Sequence, residues 1–360
     1  MRHAIALARR GLGRTWPNPA VGCVIVADGR VVGRGWTQDG GRPHAEPVAL
    51  AQAGALARGA TVYVTLEPCS HHGKTPPCSE ALIAAGVSRV VVACGDPDPR
   101  VNGRGIAMLR AAGIAVETGL CADEAAEVLD GFFRRVNDGR PIVTLKMAAS
   151  WDGRIATATG ESQWITGPHA RRRVHAMRAD HDAVLVGGGT ARADDPSLTV
   201  RGLGITRQPV RVVMSRALDL PLTGKLAMTA GEVPLWVLHG PGAPRELVEA
   251  WTGIGARLFE VPVTQGRIDP SAALETLGTA GLTRVFCEGG GALAGALLKA
   301  DLVDRAALFS AGVAIGADGL PSLGAMGLVH LSQAPRFALS SVEKIGADVL
   351  SLWTRAPRTT

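Results

Sequence analysis

The stretch PHAEPVALAQAGALARGATVYVTLEPCSHHGKTPPC, residues 43–78, carries His44 and Glu46 followed by Cys69 and Cys78. One imidazole and two thiolates can hold a zinc ion and leave its fourth position to water, which is the arrangement of a catalytic zinc site. Zinc lowers the pKa of bound water, so hydroxide becomes available near neutral pH. Glu46 is then placed to move protons between that water and a leaving group.

The sequence between these residues predicts that they converge. Val48 to Arg58 reads as a helix and Ala60 to Leu66 as a strand, so His44 precedes a helix and Pro68-Cys69 follows a strand end. In an α/β sheet, strand ends and the adjacent helix starts meet at the edge where ligands bind. Pro47 agrees, because proline is tolerated in the first helical turn. A lone histidine is usually structural and a lone cysteine usually a small buried hydrophobe, so the combined pattern carries the argument.

The order H-x-E, then P-C, then a second cysteine is the signature of zinc deaminases, in which the glutamate is not a ligand. That signature has two residues between its cysteines, whereas eight separate Cys69 from Cys78 here. The eight residues between the cysteines suit contact with a phosphate or sugar ligand. Alternatively, they form a polar surface loop. Their position beside the metal favours substrate contact. The polar residues in question are His71, His72, Lys74 and Thr75.

Length and composition indicate a globular protein of about two domains, with 360 residues, 46% hydrophobic and 19% charged. The turn-rich stretch Asn137 to Pro141 predicts the boundary, which gives domains 1–140 and 141–360. The net charge of +6 is spread along the chain and fits anionic small ligands as easily as nucleic acid. With one Tyr and six Phe, the chain lacks the base-stacking platform that single-strand binders use.

The cysteines and the start of the chain predict the compartment. Met1 to Arg10 lacks the apolar core of a signal peptide, and no apolar run approaches the ~20 residues needed to span a bilayer. We therefore expect a cytoplasmic, reducing compartment and no membrane association. The cysteines outside the zinc pattern lie in apolar runs and are assigned to packing: Cys23, Cys94, Cys121 and Cys287.

Strands and helices alternate along the first half, a pattern typical of a three-layer α/β domain. Strands over Val21–Val26 and Arg30–Trp36 form a hairpin, and a helix over Ala122–Arg135 completes the unit. Asn18, fixed between two prolines, either satisfies the turn backbone or binds a base edge or ribose. The acidic turn from Asp96 to Pro99 follows a strand and is expected to line the site.

Two glycine clusters follow strands in the second half. They are Gly187 to Thr190 and Glu288 to Gly291, and the second opens a helix. Backbone N–H groups at a helix start attract phosphate, and glycines let it approach closely. A Rossmann assignment is disfavoured, because no acidic residue stands ~20 residues further on. We expect a phosphate-binding helix start in another nucleotide fold, with close helix–sheet packing as the alternative.

Taken together, the motifs resemble the bifunctional riboflavin-biosynthesis deaminase–reductases of bacteria over nearly the whole chain. The long gap between the cysteines is characteristic of that family and argues against nucleoside or tRNA deaminases. The motifs that carry the resemblance are Thr15-Trp16-Pro17-Asn18-Pro19, Pro43-His44-Ala45-Glu46, Thr65-Leu66-Glu67-Pro68-Cys69, Thr75-Pro76-Pro77-Cys78, Leu145-Lys146, Asp152-Gly153-Arg154, Gln163-Trp164-Ile165-Thr166, Leu185-Val186-Gly187, Asp195-Pro196 and Glu288-Gly289-Gly290.

The resemblance implies a cytidine-deaminase-like three-layer α/β domain followed by a dihydrofolate-reductase-like domain. The first would deaminate a diaminopyrimidinone ribosylamino phosphate, with His44, Cys69 and Cys78 holding Zn²⁺ and Glu46 as proton shuttle. The second would use NADPH to reduce the ribosyl group to ribityl. The partners it implies are a small phosphorylated pyrimidine and further copies of the chain in a homo-oligomer, with no nucleic acid.

The resemblance also assigns ligand contacts in the second domain, by position. Contacts to NADP are Ala148, Trp164, Thr190, Asp194, Ser215, Gly290, Gly291, Ala292, Leu293, Ala294, Gly295 and Ala296. Contacts to the substrate are Ser162, Arg178, Leu198, Arg201 and Glu288. The two arginines suit its phosphate through bidentate bonding. No single side chain announces the reductase acid, and Lys146 and Asp194 are the candidates by polarity.

Three residues depart from the family pattern: Pro47 after His-Ala-Glu, Asp98 in the acidic turn, and Trp151 before Asp-Gly-Arg. None removes a predicted ligand, and Trp151 is expected to narrow the reductase pocket. Two other classes stay open at this point. One is a nucleic-acid or nucleotide deaminase with an accessory, non-catalytic C-terminal domain, which predicts salt-sensitive RNA binding. The other is a regulatory or scaffold protein with an inactive second half.

Overall fold

The computed structural model of the chain describes residues 1–73 and 75–356. The chain forms two compact units, Met1–Gly139 and Arg140–Thr360. None of the helices in the described part of the chain combines the length and apolarity needed to span a bilayer.

In the first unit, a mixed sheet is covered by helices on both faces. Within residues 1–73 and 75–139 the strand order is β2-β1-β3-β4-β5, with β1 antiparallel to its neighbours and β3, β4 and β5 parallel. The strands are β1 (Gly22–Ala27), β2 (Arg30–Trp36), β3 (Thr61–Leu66), β4 (Arg89–Cys94) and β5 (Ala115–Thr118); the helices are α1 (Arg2–Ala8), α2 (Ala45–Ala53), α3 (Cys78–Ala85), α4 (Arg104–Ala111) and α5 (Ala122–Asp138).

Helix α2 lies unusually close to strand β2, because β2 presents glycines to it. A methyl group on Gly35 would lie 2.1 Å from the carbonyl oxygen of Ala45, and one on Gly33 would lie 2.3 Å from that of Ala49. Both glycines are buried. No other residue type allows this approach. The start of α2, where His44 and Glu46 stand, is therefore held against the sheet.

Strand β3 alternates between partly buried and fully buried residues over its first half, and its valines point into the core. Its Val62 and Val64 are fully buried and pack with Val90 and Val92 of β4. Burial of this kind stabilises each side chain by roughly 1.5–3 kcal/mol. The chain leaving β3 after Leu66 is thus anchored immediately before Cys69.

A larger sheet forms the centre of the second unit. Among its described residues the strand order is β11-β10-β9-β8-β14-β6-β15-β18-β17, parallel from β11 to β15 and antiparallel beyond. The strands of this unit are β6 (Ile142–Ser150), β7 (Arg154–Ala156), β8 (Ala183–Gly187), β9 (Val210–Met214), β10 (Leu235–His239), β11 (Arg257–Glu260), β12 (Val263–Thr264), β13 (Arg267–Ile268), β14 (Arg284–Cys287), β15 (Arg305–Ala311), β16 (Leu320–Pro321), β17 (Phe337–Ile345) and β18 (Asp348–Arg355). Strand β7 pairs with β16, and β12 pairs with β13, in two separate two-stranded sheets.

Helices connect the parallel strands of this sheet. They are α6 (Pro168–Ala179), α7 (Gly188–Asp194), α8 (Lys225–Met228), α9 (Arg245–Gly253), α10 (Pro270–Thr279) and α11 (Gly291–Lys299). Strands β8 and β14 are neighbours, and α7 and α11 begin directly at their carboxyl ends. Both glycine clusters of the sequence therefore lie along one edge of the sheet, where α/β proteins bind ligands.

Most of the elements that the sequence predicts are present within one to three residues of their expected bounds. The short helix α8 and the short strands β7, β12, β13 and β16 were not predicted. Helix α7 was not predicted, since Gly188 and Gly189 disfavour a helix. The pair β17–β18, which extends the sheet beyond β15, was also not predicted. The long helix predicted from Val48 to Arg58 instead begins at Ala45 and ends at Ala53, followed by a 3₁₀ turn over Gly54–Ala57.

The contact between α2 and β2 gives a first prediction. Gly35→Ala should destabilise the first unit by about 3 kcal/mol, because the methyl group must displace helix backbone that cannot yield locally. Zinc binding should weaken in parallel, since Ala45 stands between His44 and Glu46. Chemical denaturation and metal titration measure the two effects.

The matched control is Gly253→Ala at the end of α9, where nothing lies within 4 Å of the added methyl group. It should change the stability by no more than about 0.5 kcal/mol. Equal stability of the two variants would contradict the close approach of α2.

Buried His181 gives a second prediction. Its ring bonds to the carbonyl of Met177 and the hydroxyl of Thr144, and burial lowers its pKa to about 3. The unfolded chain binds a proton near pH 6.5 and the folded chain does not. The stability that neutral His181 contributes is therefore complete above about pH 6.5 and is lost as the pH falls toward 3, by about 1.4 kcal/mol per pH unit.

His181→Asn should lower the free energy of unfolding at pH 7, and the gap to the parent should shrink as the pH falls below about 6.5. Unfolding at a series of pH values measures this gap. His169→Asn, on the exposed side of α6, serves as the control. A gap between His181→Asn and the parent that stays constant from pH 7 to pH 4 would refute the assignment.

Candidate active sites

Three secondary-structure ends bring the predicted metal ligands together. His44 is the residue preceding α2, and Cys78 is the first residue of α3. Cys69 follows the end of β3 by three residues. Prolines stand beside all three ligands, and they suit helix starts and extended turns better than helix interiors.

The three donor atoms are spaced as zinc requires. The Nδ1 atom of His44 lies 3.3 Å from the Sγ atom of Cys78 and 3.7 Å from that of Cys69. All three donor atoms lie within 4.8 Å of one another. Tetrahedral Zn–S and Zn–N bonds of usual length place S and N about 3.6 Å apart. The donor set and its spacing therefore fit a zinc ion.

The two thiols share their protons unequally. A hydrogen bond from the Cys78 thiol, helped by His44, lowers the pKa of Cys69 well below its ordinary value. The same bond raises the pKa of Cys78, and the bond between His44 and Cys69 raises the pKa of His44. The backbone N–H of Cys78 also donates to the Cys69 sulfur at 3.3 Å. Cys69 is thus stabilised as the thiolate, the form that binds metal.

Glu46 is buried beside these ligands. It is only 3% exposed, and burial raises the pKa of its carboxyl, with the charge of His44 opposing. A carboxyl whose pKa is raised by burial holds a proton more readily than an exposed one, which suits a general acid–base.

His44, Cys69 and Glu46 line one cavity of about 340 Å³. The proline-flanked turn forms one wall, where the Asn18 amide donates to the carbonyl of Gly41 at 3.2 Å. The acidic turn forms another wall through Asp96 and Asp98. Further lining residues are Pro17, Pro19, Val21, Thr37, Arg42, Leu66, Glu67, His71, Arg100, Val101, Phe132 and Arg135.

The insertion between the cysteines reaches this cavity in part. His71 lines it, whereas the exposed His72 lies 3.4 Å from the Glu80 carboxylate. Thr75 accepts a hydrogen bond from Arg42 at 2.5 Å. Lys74 lies outside the described residues.

Glu67 is a positioning residue that the sequence reasoning quoted but gave no role. Its buried carboxylate accepts backbone N–H bonds from Gly103 at 3.0 Å and from Ile106 at 3.2 Å, at the start of α4. A third, from Asp96, measures 3.4 Å. Glu67 thus ties the segment that carries Cys69 to the acidic turn. The signal was a carboxylate directly before Pro68-Cys69 in an otherwise apolar run.

In the second unit, buried charges meet at the carboxyl ends of the central strands. Arg178 donates to both oxygens of Glu288, at 2.5 and 3.1 Å, and Lys146 of β6 lies 3.8 Å from the same carboxylate. Burial raises the pKa of Glu288, but Arg178 and Lys146 together hold it below its ordinary value. Burial raises the pKa of Asp194, and Lys146 opposes that shift.

The glycine clusters are joined by a hydrogen bond across the sheet edge. The backbone N–H of Gly290 donates to the hydroxyl of Thr190 at 3.1 Å. A methyl group on Gly291 would lie 3.0 Å from the backbone of Gly324, and one on Gly295 would lie 3.1 Å from it. Glycines here therefore serve close packing as well, which was the alternative reading of the cluster. Ala292, Leu293, Ala294 and Ala296 complete this segment of α11.

Other residues assigned by resemblance are distributed around this edge. Ala148 lies on β6, beyond Lys146. Arg178 donates to the carbonyl of Thr199 at 2.8 Å, between buried Leu198 and Arg201. The backbone N–H of Arg201 donates to His175 at 3.2 Å.

The segment before α6 carries two further assigned residues, Ser162 and Trp164. Trp164 is 69% exposed, with the guanidinium of Arg171 4.5 Å from its ring centroid. Trp151 is also 69% exposed, so the structure gives no sign that it narrows a pocket.

Comparison with known proteins agrees with both halves. The cytidine and deoxycytidylate deaminase zinc-binding region matches residues 1–94, and the RibD C-terminal domain matches residues 141–351. The two domains define a deaminase joined to a reductase, with a cytidine-deaminase-like fold and a dihydrofolate-reductase-like fold. The predicted fold class is thereby confirmed. A Corynebacterium diphtheriae pyrimidine reductase-like protein, 20% identical with a TM-score of 0.52, shares the fold of the second half.

Full-length relatives identify the family. The riboflavin biosynthesis protein RibD of Escherichia coli K12 is 43% identical over 97% of this chain and 96% of its own. Form 1 of Acinetobacter baumannii RibD is 40% identical, with a TM-score of 0.89 over 99% of this chain and 98% of its own. The chain belongs to the RibD family of riboflavin biosynthesis enzymes.

A further similar structure is that of a Thermotoga maritima diaminohydroxyphosphoribosylaminopyrimidine deaminase/5-amino-6-(5-phosphoribosylamino)uracil reductase. It is 35% identical to this chain, with a TM-score of 0.85 over 99% of this chain and 97% of its own.

The metal centre gives a third prediction. The parent should bind one zinc per chain, and Cys78→Ala should lose it, because two remaining ligands do not hold zinc against competing chelators. Elemental analysis after dialysis measures the stoichiometry.

Cys94→Ala is the matched control, since Cys94 lies at the end of β4 outside the donor set. Its zinc content should equal that of the parent. Full zinc in Cys78→Ala would show that the ligand set is wrong.

Proposed function

We propose that the first unit hydrolytically deaminates 2,5-diamino-6-(5-phosphoribosylamino)pyrimidin-4-one and that the second reduces the ribosyl group of the product to ribityl with NADPH. The observation that carries the deaminase half is the cluster of His44, Cys69 and Cys78 donor atoms, two of whose residues line one cavity together with buried Glu46. The family match over the second half and the charged strand ends support the reductase half.

In the deaminase, three side chains would hold zinc and one would move protons. Bound zinc supplies a Lewis acid that makes water nucleophilic at neutral pH. Glu46 takes a proton from the attacking water and delivers protons to the ring and to the departing amine. Its burial supports this role, because the raised pKa lets the carboxyl alternate between its two forms.

Substrate recognition in the first unit would use the walls of the cavity. Asn18 is placed to bind a polar edge of the pyrimidine, and its bond to Gly41 keeps the amide in place. Burial raises the pKa of Asp96 to about 6, so this carboxyl can donate as well as accept near neutral pH. Arg42 and His71 suit the phosphate end of the substrate.

In the reductase, the residues mainly position the reactants, and positioning can supply much of a rate enhancement. NADPH would supply a hydride to C1 of the opened ribose. Glu288, held by Arg178 and Lys146, suits the ribose hydroxyls as an acceptor. Lys146 and Asp194 are the candidate proton donors. The exposed Arg201 suits the phosphate.

The remaining parts of the proposal concern the state of the protein. We propose that it acts on this small phosphorylated substrate and not on nucleic acid, which the scarcity of aromatic residues supports. None of the cysteines in the described part of the chain is in a disulfide, and we propose a reducing, cytoplasmic compartment. A homo-oligomer and a domain boundary near residue 140 belong to the same proposal.

A coupled assay tests both activities and gives the fourth prediction. With the pyrimidine substrate, ammonia should appear first and NADPH oxidation should depend on it. Glu46→Gln should lower ammonia release by at least about a thousandfold while keeping its zinc, because the amide cannot shuttle protons. Supplied with the deaminated substrate, the same variant should oxidise NADPH at the parent's rate.

Glu124→Gln is the control, since this exposed carboxylate pairs with Arg2 on the surface. It should behave as the parent. Ammonia without any NADPH loss would reject the reductase half. If zinc-loaded protein shows neither ammonia release nor NADPH oxidation, the proposed substrate is wrong, and nucleic acids become the next substrates to test.

A further inference from the structure

Asp219 is held at the edge of the second sheet by two donors of different kinds. The hydroxyl of Ser215 donates to its Oδ1 atom at 2.8 Å, and the guanidinium of Arg192 lies 2.9 Å from the same oxygen. Ser215 is buried, at 3% exposed. The side chains of Arg192 and Asp219 are about half exposed, at 44% and 55%. A buried hydroxyl and a half-exposed guanidinium thus share one anionic oxygen.

This trio lies beside the glycine-lined strand ends. A methyl group on Gly188 would lie 3.0 Å from the Ser215 hydroxyl and 3.2 Å from a guanidinium nitrogen of Arg192. Both donors therefore rest against the backbone of Gly188. Two residues further along, Thr190 binds the backbone of Gly290. The trio and the second glycine cluster are connected through one short segment, Gly188 to Arg192.

We propose that Arg192, Ser215 and Asp219 set the preference of the reductase for NADPH over NADH, with Arg192 and Ser215 binding the 2′-phosphate. The inference rests on the proposed function, and it assigns roles to Arg192 and Asp219 that the family resemblance did not.

The chemistry of the donors supports a phosphate monoester. A guanidinium matches phosphate geometry, and a phosphate near pH 7 carries about two negative charges on three acceptor oxygens. The structure already holds an anionic oxygen between the same two donors. The phosphate therefore takes the place of the Asp219 carboxylate, whose side chain stands in an irregular segment after β9 and is half exposed.

Asp219 acts in the opposite direction. Its carboxylate neutralises Arg192 and repels a phosphate, whereas it can accept a hydrogen bond from the 2′-hydroxyl of NADH, as acidic residues do in other dinucleotide sites. Preference is a difference between two affinities. Arg192 favours NADPH and Asp219 favours NADH. Removing the charge of Arg192 should therefore shift the preference toward NADH, and removing the charge of Asp219 should shift it toward NADPH.

The test measures binding of adenosine 2′-monophosphate and adenosine 5′-monophosphate by calorimetry, so it does not depend on turnover. Arg192→Ala should weaken binding of the 2′-phosphate probe at least about tenfold and of the 5′-phosphate probe less than about twofold. Asp219→Asn should tighten binding of the 2′-phosphate probe about threefold or more, since a repelling charge is removed. The ratio of kcat/KM for NADPH to that for NADH should shift in the same directions.

Arg245→Ala is the matched control, because Arg245 forms an exposed ion pair with Glu249 on α9. Its binding of both probes should equal the parent's. If Arg192→Ala does not fold, Arg192→Lys replaces it, with an intermediate loss because a lysine keeps the charge without the fork.

Two results would overturn the inference: a parent that does not bind the 2′-phosphate probe, or an Arg192 variant that binds both probes as the parent does. Either would leave the proposed reductase intact if NADPH is still oxidised. Conversely, probe binding that depends on Arg192, in a protein that oxidises neither cofactor, would support the anion site and reject the reductase.

Discussion

A buried carboxylate needs either a cation or a proton, and the two units meet this requirement in different ways. Glu288 has Arg178 and Lys146 against it, and its pKa stays below the ordinary value despite burial. Glu46 has only partial compensation from His44, and its pKa rises. The first solution gives a fixed negative charge that can orient hydroxyls. The second gives a carboxyl that holds a proton more readily, as the proposed proton shuttle of the deaminase would need.

These carboxylates are positioned by backbone features that depend on only a few residues. In the first unit, Gly33 and Gly35 allow α2 to pack closely against the sheet. This packing fixes the position of the helix start that bears Glu46. Glu67 secures the opposite wall by binding three backbone N–H groups. In the second unit, neighbouring parallel strands bring Lys146 and Glu288 to one edge, because β6 and β14 are paired in register. Rigid elements of this kind hold a site more precisely than loops do.

The sequence was sufficient to predict the parts of the molecule in which the spacing of reactive residues or the pattern of apolar residues is regular. Ligand spacing pointed to His44, Cys69 and Cys78, and apolar runs located the parallel strands. Helix α7 was not predicted because its glycines oppose helix formation, and its contacts with β8, β9 and Gly290 join segments that are distant in the sequence. Strand β17 was missed because nearly all of it is exposed, so it lacks the alternation that marks a half-buried strand. Glu67, Arg192 and Asp219 act through contacts between distant segments, which no local pattern encodes.

The unequal sharing of protons at the metal centre has a consequence for redox chemistry. The thiolate is the form of cysteine that oxidants attack, and Cys69 is stabilised in that form with the sulfur of Cys78 close by. A metal held at the proposed site would occupy both sulfurs and protect them. Protein that has lost its metal is therefore the oxidation-prone state, and oxidation of the pair to a disulfide would remove two ligands at once. Metal supply and oxidant exposure thus act on the same two atoms.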